Sequence, residues 1–389
     1  MIRAIITGYK GKRLLALKDE EGFLSFKLCS GSSLTGSIIN GRVDKRAENL
    51  NACFVRLSAQ EYGYLPTSEI KAQTTLPVQI VKDGRGDKKY LLTRQLSIAG
   101  RYTVIFKEAD KPVLFSKRIS SEGKQRILEE LKDTEPLSYP VLFRANCGRA
   151  DFFQVSEEMR ELSGIMDSIL KLYDKRPDYS VLYSPKDELI RDLYDIEYDR
   201  LSEVITDSEE VYELVKREYH DTLPEEYRKR IRLTLYRDEL LPLSGLVNLK
   251  AGLERARDKR VWLKSGSYII IEQTEALVSI DVNSGKNEGK GLREDVILRI
   301  NEEAAEEIAR QLRLRNLSGI IIIDFINMKT RENNEKLIRS LKKALKTLET
   351  KAVFMDMTKL GLVELTRKRE GKSLEEMTAQ INHQFAPEG

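Results

Sequence analysis

Two of the most apolar stretches of the chain end alike. Leu277-Val278-Ser279-Ile280 runs into Asp281, followed by Val282-Asn283-Ser284-Gly285, and Gly319-Ile320-Ile321-Ile322-Ile323 runs into Asp324. Runs of this kind predict buried central strands. A carboxylate at the carboxyl end of such a strand lies where α/β sheets hold ligands. The plainer reading is that each aspartate opens a turn or caps a helix. Around the two runs the pattern predicts an α/β domain from about residue 258. A hairpin over Ser267–Ile271 and Ala276–Val282 is followed by a helix over about 292–315. Ile297, Ile300, Ala304, Ile308 and Leu312 keep helical spacing there. A second helix over about 331–349 leads to a strand at Ala352–Met355.

The amino-terminal third has a different rhythm. Residues 1–35 read as short strands. Five strand-like stretches with turn residues between most of them follow, at 36–43, 52–57, 63–66, 76–82 and 90–93, the signature of a small OB-type barrel over 36–99. In Cys53-Phe54-Val55-Arg56-Leu57 the alternation puts Cys53, Val55 and Leu57 on a core face and Phe54 with Arg56 on the other. An aromatic beside a cation on an outward face is a stacking platform for unpaired bases; the competing reading packs Phe54 under a neighbouring subdomain. Tyr64 and Lys88 extend the platform. Residues 155–220 read as mainly helical, and no fixed-period repeat or Gly-rich phosphate loop is present.

Composition narrows the chemistry. The chain has 389 residues and a net charge of +4, enough length for two or three domains. Residues 151–220 hold 9 basic and 19 acidic residues, a net −10, so the remaining 57 basic and 43 acidic residues make the rest +14. A basic body suits a polyanionic partner. Only His220 and His383 are histidines, which argues against a histidine-pair nuclease or a Ser-His-Asp hydrolase. Cys29, Cys53 and Cys147 have no CxxC spacing, so reduced thiols are expected and a cysteine-rich zinc site is not. No run is long enough for a membrane helix and no signal-peptide pattern opens the chain, so a cytoplasmic protein is expected. Hydrolytic chemistry would rest on Asp281 and Asp324 sharing a hard divalent ion, because paired carboxylates repel without one. Asn283, two residues past Asp281, would lie on the same strand face and orient it. Arg315 and Lys351 are candidate phosphate contacts, each with a plainer reading as a solvated surface charge.

The stretches Thr274–Ser284, Glu307–Leu317, Ile322–Ile326 and Leu360–Arg369, in that order and spacing, resemble the bacterial ribonuclease E/G family along almost the whole chain. The resemblance implies a magnesium-dependent endoribonuclease that cuts single-stranded RNA in rRNA or tRNA processing or mRNA decay, with other RNA-processing factors as further partners. It implies an α+β multidomain fold. An RNase H-like scaffold built from residues 1–35 and 179–257 carries the barrel, which is similar to the S-one type of RNA-binding module. A 5′-sensor-like subdomain over 100–178 and a DNase I-like catalytic domain over 258–389 complete it. By the same resemblance Asp281 and Asp324 are the metal ligands and Asn283 supports the first. Phe54, Tyr64 and Lys88 face bases, and Gly100, Val104 and Arg144 form the pocket for a 5′-monophosphate. The sequence departs from the family pattern in three places. Ala145 replaces a threonine of the sensor pocket, and Asn327 stands where many relatives have a second aspartate. The tail after Arg369 lacks the CPxC zinc motif, so neither zinc nor a zinc-linked dimer is expected and the oligomeric state is left open. Two other classes fit parts of the pattern: a non-catalytic RNA-binding or ribosome-assembly factor, and a phosphoesterase with another substrate. Hydrolysis by a metal-carboxylate site predicts 5′-phosphate and 3′-hydroxyl ends.

Overall fold

A computed structural model describes residues 1–29, 31, 33–67, 69–84, 89–285, 293–348, 352–369 and 371–383. The chain is mixed α+β and folds as two compact units. One comprises residues 1–29, 203–212 and 233–389, and the other residues 30–202 and 213–232.

The first unit contains a five-stranded sheet that is discontinuous in sequence. Its order is Arg232–Leu235, Leu201–Thr206, Ile2–Tyr9, Lys12–Lys18, Phe23–Cys29. Ile5, Leu14, Ala16, Phe26 and Ile205 pack with Leu243, Leu249 and Leu253 of two short helices and with Val247 between them. The same unit holds a six-stranded sheet. Across it the strands run Arg260–Trp262, Tyr268–Gln273, Leu277–Asn283, Gly319–Asp324, Val363–Arg367 and Ala352–Met357. Leu277–Asn283 and Gly319–Asp324 are parallel, joined through the helix Glu294–Leu314, as a parallel pair requires.

Helices Glu294–Leu314 and Arg331–Leu345 cover one face of this sheet. Ile300, Ala304, Ile308 and Leu312 of the first, with Leu337 and Leu341 of the second, share a core with Ile269, Val278, Ile280, Ile321 and Ile323. The opposite face is open within this unit. Ile320 there is 52% exposed and Ile322 half-buried. This corrects the expectation drawn from the unbroken Ile320–Ile323 run. Such a run implies burial on both faces, whereas both helices lie on the same side. Two further elements were not anticipated. Val363–Arg367 inserts between Gly319–Asp324 and the edge strand Ala352–Met357. The tail forms a helix over Leu374–His383 whose Leu374 and Met377 join the core of the amino-terminal sheet.

In the second unit, strands Ile38–Ala47, Ala52–Arg56, Tyr62–Leu65, Thr75–Lys82 and Tyr90–Thr93 close into the anticipated five-stranded barrel. In that numbering the closed order is 1-2-3-5-4-1, with strands 3 and 5 parallel. Cys53, Val55, Leu57, Leu65, Val78, Ile80 and Leu92 fill it. The unit also holds a four-stranded sheet, the helix Phe152–Leu172, capped by Asp151, and shorter helices. The stretch read as mainly helical over 155–220 also contains the strands Val181–Tyr183 and Leu201–Thr206.

Candidate functional site

Asp281 and Asp324 are direct partners across the parallel ladder. Adjacent strands lie about 4.8 Å apart, so the two carboxylates stand side by side. Strand alternation buries Ile280, Val282 and Ile323 against the helices and turns both aspartates to the open face, where both are exposed. Asp281 is not terminal, since its strand continues to Asn283. That extension keeps Asn283 on the carboxylate's face, and Asn283 Nδ2 donates to Asp281 Oδ2 at 2.7 Å. The turn beyond needs Gly285. Its φ is +61° and a Cβ there would lie 2.3 Å from the Gly266 carbonyl oxygen.

The segment after Asp324 is held by residues that sequence reasoning missed. Asn301, fully buried on the helix Glu294–Leu314, donates Nδ2 to the Ile326 carbonyl at 2.8 Å and accepts the Ile326 N–H at 3.1 Å. Glu294 accepts from the N–H groups of Lys329 and Thr330 at 2.8 and 3.0 Å. These bonds, that of Thr330 N–H foremost, hold its carboxyl below the usual range. The visible signals were weak, because a polar residue inside an apolar helical stripe and an acid at a helix start have many uses. Beyond Asp324 a cavity of about 170 Å³ is lined by Phe325, Asn327, Asn334, Lys359 and Gly361, among others.

No group of three or more His, Cys, Asp or Glu is placed to hold a metal among the described residues. What the open face offers is two exposed carboxylates, that of Asp281 steadied by the Asn283 amide. Both carboxylates are oxygen donors open to solvent, the donor chemistry that suits a hard ion retaining much of its water shell.

On the barrel, Phe54 and Tyr64 are cross-strand partners with ring centroids 6.2 Å apart. Lys89 Nζ lies 4.3 Å from the Phe54 centroid and Lys45 Nζ 5.7 Å. Arg56 covers Tyr62 at 5.1 Å. The aromatic–cation face therefore contains the expected Phe54, Arg56 and Tyr64, with Lys45, Tyr62 and Lys89 in addition. Lys88 and Lys351 lie outside the described residues.

Arg315 corrects an expectation. It is 7% exposed at the end of the helix Glu294–Leu314, donating to Gln311 Oε1 and to the Asp258 carbonyl, each at 2.7 Å. Burial lowers its pKa. Its guanidinium ties the helix end inside the fold and is not displayed for a phosphate.

Arg144 and Gly100 come together, and Val104 is the strand partner of Ala99, the residue before Gly100. Val104 lies on the strand Thr103–Phe106, and Arg144 donates to the Gly100 carbonyl and pairs with Asp195. Glu158 fills the adjoining turn. It accepts the N–H groups of Arg101, Tyr102 and Thr103 at 2.7–2.8 Å, and a Cβ on Gly100 would meet its carboxylate at 2.4 Å.

The structure thus presents side-by-side carboxylates on an open sheet face and a barrel whose aromatics lie beside cations. Comparison with known proteins gives the family. A profile described as the Ribonuclease E/G family matches residues 97–370. Ribonuclease G of Escherichia coli K12 is 30% identical over 370 residues, covering 88% of this chain and 74% of that protein. Ribonuclease G of Haemophilus influenzae is 32% identical over 372 residues with the same coverage. Ribonuclease E of Nostoc is 29% identical over 386 residues, 94% of this chain and 56% of that one. The chain belongs to the ribonuclease E/G family.

Proposed function

We propose that the protein is a magnesium-dependent endoribonuclease acting on single-stranded RNA, in rRNA or tRNA processing or mRNA decay. The observation that carries this reading is the pairing of Asp281 with Asp324 across parallel strands on an open face, in a chain of this family. The two carboxylates would hold the ion, and Asn283, bonded to Asp281 Oδ2, fixes the rotation of the first. Magnesium held there would supply positive charge at the scissile phosphate and favour ionisation of an attacking water. Asn301 and Glu294 keep the segment beyond Asp324 in place. Phe54 and Tyr64 stack unpaired bases while Lys45, Lys89 and Arg56 add cationic charge. Gly100, Val104 and Arg144 are the proposed 5′-end pocket, where a terminal phosphate must displace Asp195 from Arg144. The order of the discontinuous five-stranded sheet supports the RNase H-like scaffold, and the closed barrel supports the OB reading of residues 36–99. The one-sided six-stranded sheet is the proposed DNase I-like catalytic domain.

Incubating unstructured RNA with the protein, with and without magnesium, and analysing product ends tests this reading. Magnesium-dependent internal cuts bearing 5′-phosphate and 3′-hydroxyl are expected. Products with 2′,3′-cyclic phosphate, or cutting that persists in chelator, would overturn it.

A further inference from the structure

The open face that carries the paired aspartates also carries an aromatic cluster. Trp262, on the edge strand Arg260–Trp262, is the partner of Tyr268, and Tyr268 is in turn the partner of Asn283 on the Asp281 strand. Arg260 is the partner of Ile270, which is the partner of Asp281. Residues opposed in an antiparallel ladder share a face. Arg260, Trp262, Tyr268, Asp281, Asn283 and Asp324 therefore form two adjoining rows on one surface. Neighbouring strands are about 4.8 Å apart, so Trp262 lies roughly 10 Å from Asn283 across the sheet.

The cluster is ordered like a recognition surface. The Trp262 and Tyr268 rings meet edge-on with centroids 5.2 Å apart. The Arg260 guanidinium lies 4.5 Å from the Tyr268 centroid and 5.7 Å from that of Trp262. Trp262 is 59% exposed. A cross-strand aromatic pair can also serve only to hold a hairpin together. Against that role alone stand the exposure of the largest side chain, the cation over both rings, and the place of the cluster beside the carboxylates.

We propose that Arg260, Trp262 and Tyr268 form a base-stacking subsite that grips the nucleotides flanking the scissile phosphate of a single-stranded RNA. The inference rests on the endoribonuclease reading. It adds a second stacking surface, in the unit that holds the carboxylates and distinct from the barrel. A base laid on Trp262 with its phosphate near Arg260 extends the chain along the rows toward Asp281 and Asp324. Stacking tolerates any base, because every base has a π-face, so the subsite selects unpaired RNA without a sequence requirement.

Trp262 is the only tryptophan in the chain, so its emission reports on this surface alone. In an Asp281→Asn background, titration with an unstructured oligoribonucleotide should quench that emission saturably. Trp262→Ala and Tyr268→Ala should each weaken binding by about tenfold, and Trp262→Phe should retain most of it. An oligonucleotide with abasic sites flanking the cleavage position should lose the same affinity, which a hairpin brace without RNA contact does not predict. Thermal melting of each variant identifies one that has lost its fold, and the abasic oligonucleotide, bound to protein with Trp262 and Tyr268 intact, then carries the comparison. Unchanged emission at saturating labelled RNA, or affinity within about twofold of wild type in both alanine variants, overturns the subsite. If wild type cuts RNA and the emission stays flat, the subsite falls and the ribonuclease reading stands. If the emission is quenched and affinity falls in the variants but wild type does not cut, the surface binds RNA and the cleavage reading falls.

Discussion

Asn283 holds Asp281 by one hydrogen bond of 2.7 Å, and its replacement isolates what that bond contributes. Asn283→Ala should leave both carboxylates in place and raise the magnesium concentration needed for half-maximal cleavage by about 10- to 100-fold. A magnesium titration of cleavage rate checks this, and an unchanged curve assigns Asn283 to the turn alone. Asn301 acts at one remove. Its side chain satisfies both backbone groups of Ile326, so Asn301→Ala should destabilise the fold by about 1–3 kcal/mol in urea denaturation. The pairing of Asp281 with Asn283 was legible because strand alternation relates residues two apart. Asn301 was hidden because its partner is a backbone 25 residues away. Arg315 was misread, since an arginine before an apolar strand gives no sign of whether its guanidinium turns inward.

At the level of the element, the barrel was readable because its strands are short and most are separated by turn residues. Its cation set was not, because Lys45 and Lys89 meet the Phe54 ring only once the barrel closes. Phe54→Ala should weaken binding of a long unstructured RNA by about 1–3 kcal/mol. In cleavage assays it should raise KM with little change in kcat, since the loss is of binding common to ground and transition states. The Glu294 carboxylate, with its pKa lowered chiefly by the Thr330 N–H, contributes stability above the ordinary carboxylate range. That contribution is lost as pH falls through the depressed folded-state value. Comparison of Glu294→Gln with wild type across an acid series should show a stability gap at neutral pH that closes in acid. A gap independent of pH would place the effect elsewhere. The Gly319–Asp324 strand shows where patterning misleads, because four consecutive isoleucines read as two-sided burial.

At the level of the whole molecule, the amino-terminal sheet gathers strands from residues 2–29, 201–206 and 232–235, an assembly with no local signature. The expectation of strands shared between the amino terminus and the region before residue 258 came from the family resemblance, whereas strand and helix periodicity alone pointed to the paired strands of the six-stranded sheet. The tail was legible only in what it lacks. Its Leu374 and Met377 are built into the core of the amino-terminal sheet, and Leu374→Ala should lower unfolding stability by about 2–4 kcal/mol, read by chemical denaturation. Among the described residues no helix is long and apolar enough to cross a membrane. The excess of basic charge outside residues 151–220 predicts RNA affinity that falls steeply with salt.

The proposed function requires Asp281 and Asp324 to act as one metal-holding pair. Its most direct test is cleavage of an unstructured RNA at saturating magnesium by wild type, Asp281→Asn and Asp324→Asn, with RNA affinity measured in parallel. Cutting by wild type, background cutting by each variant, and near-equal affinity in all three are predicted. If either variant cuts as fast as wild type, the two aspartates are not the metal-holding pair.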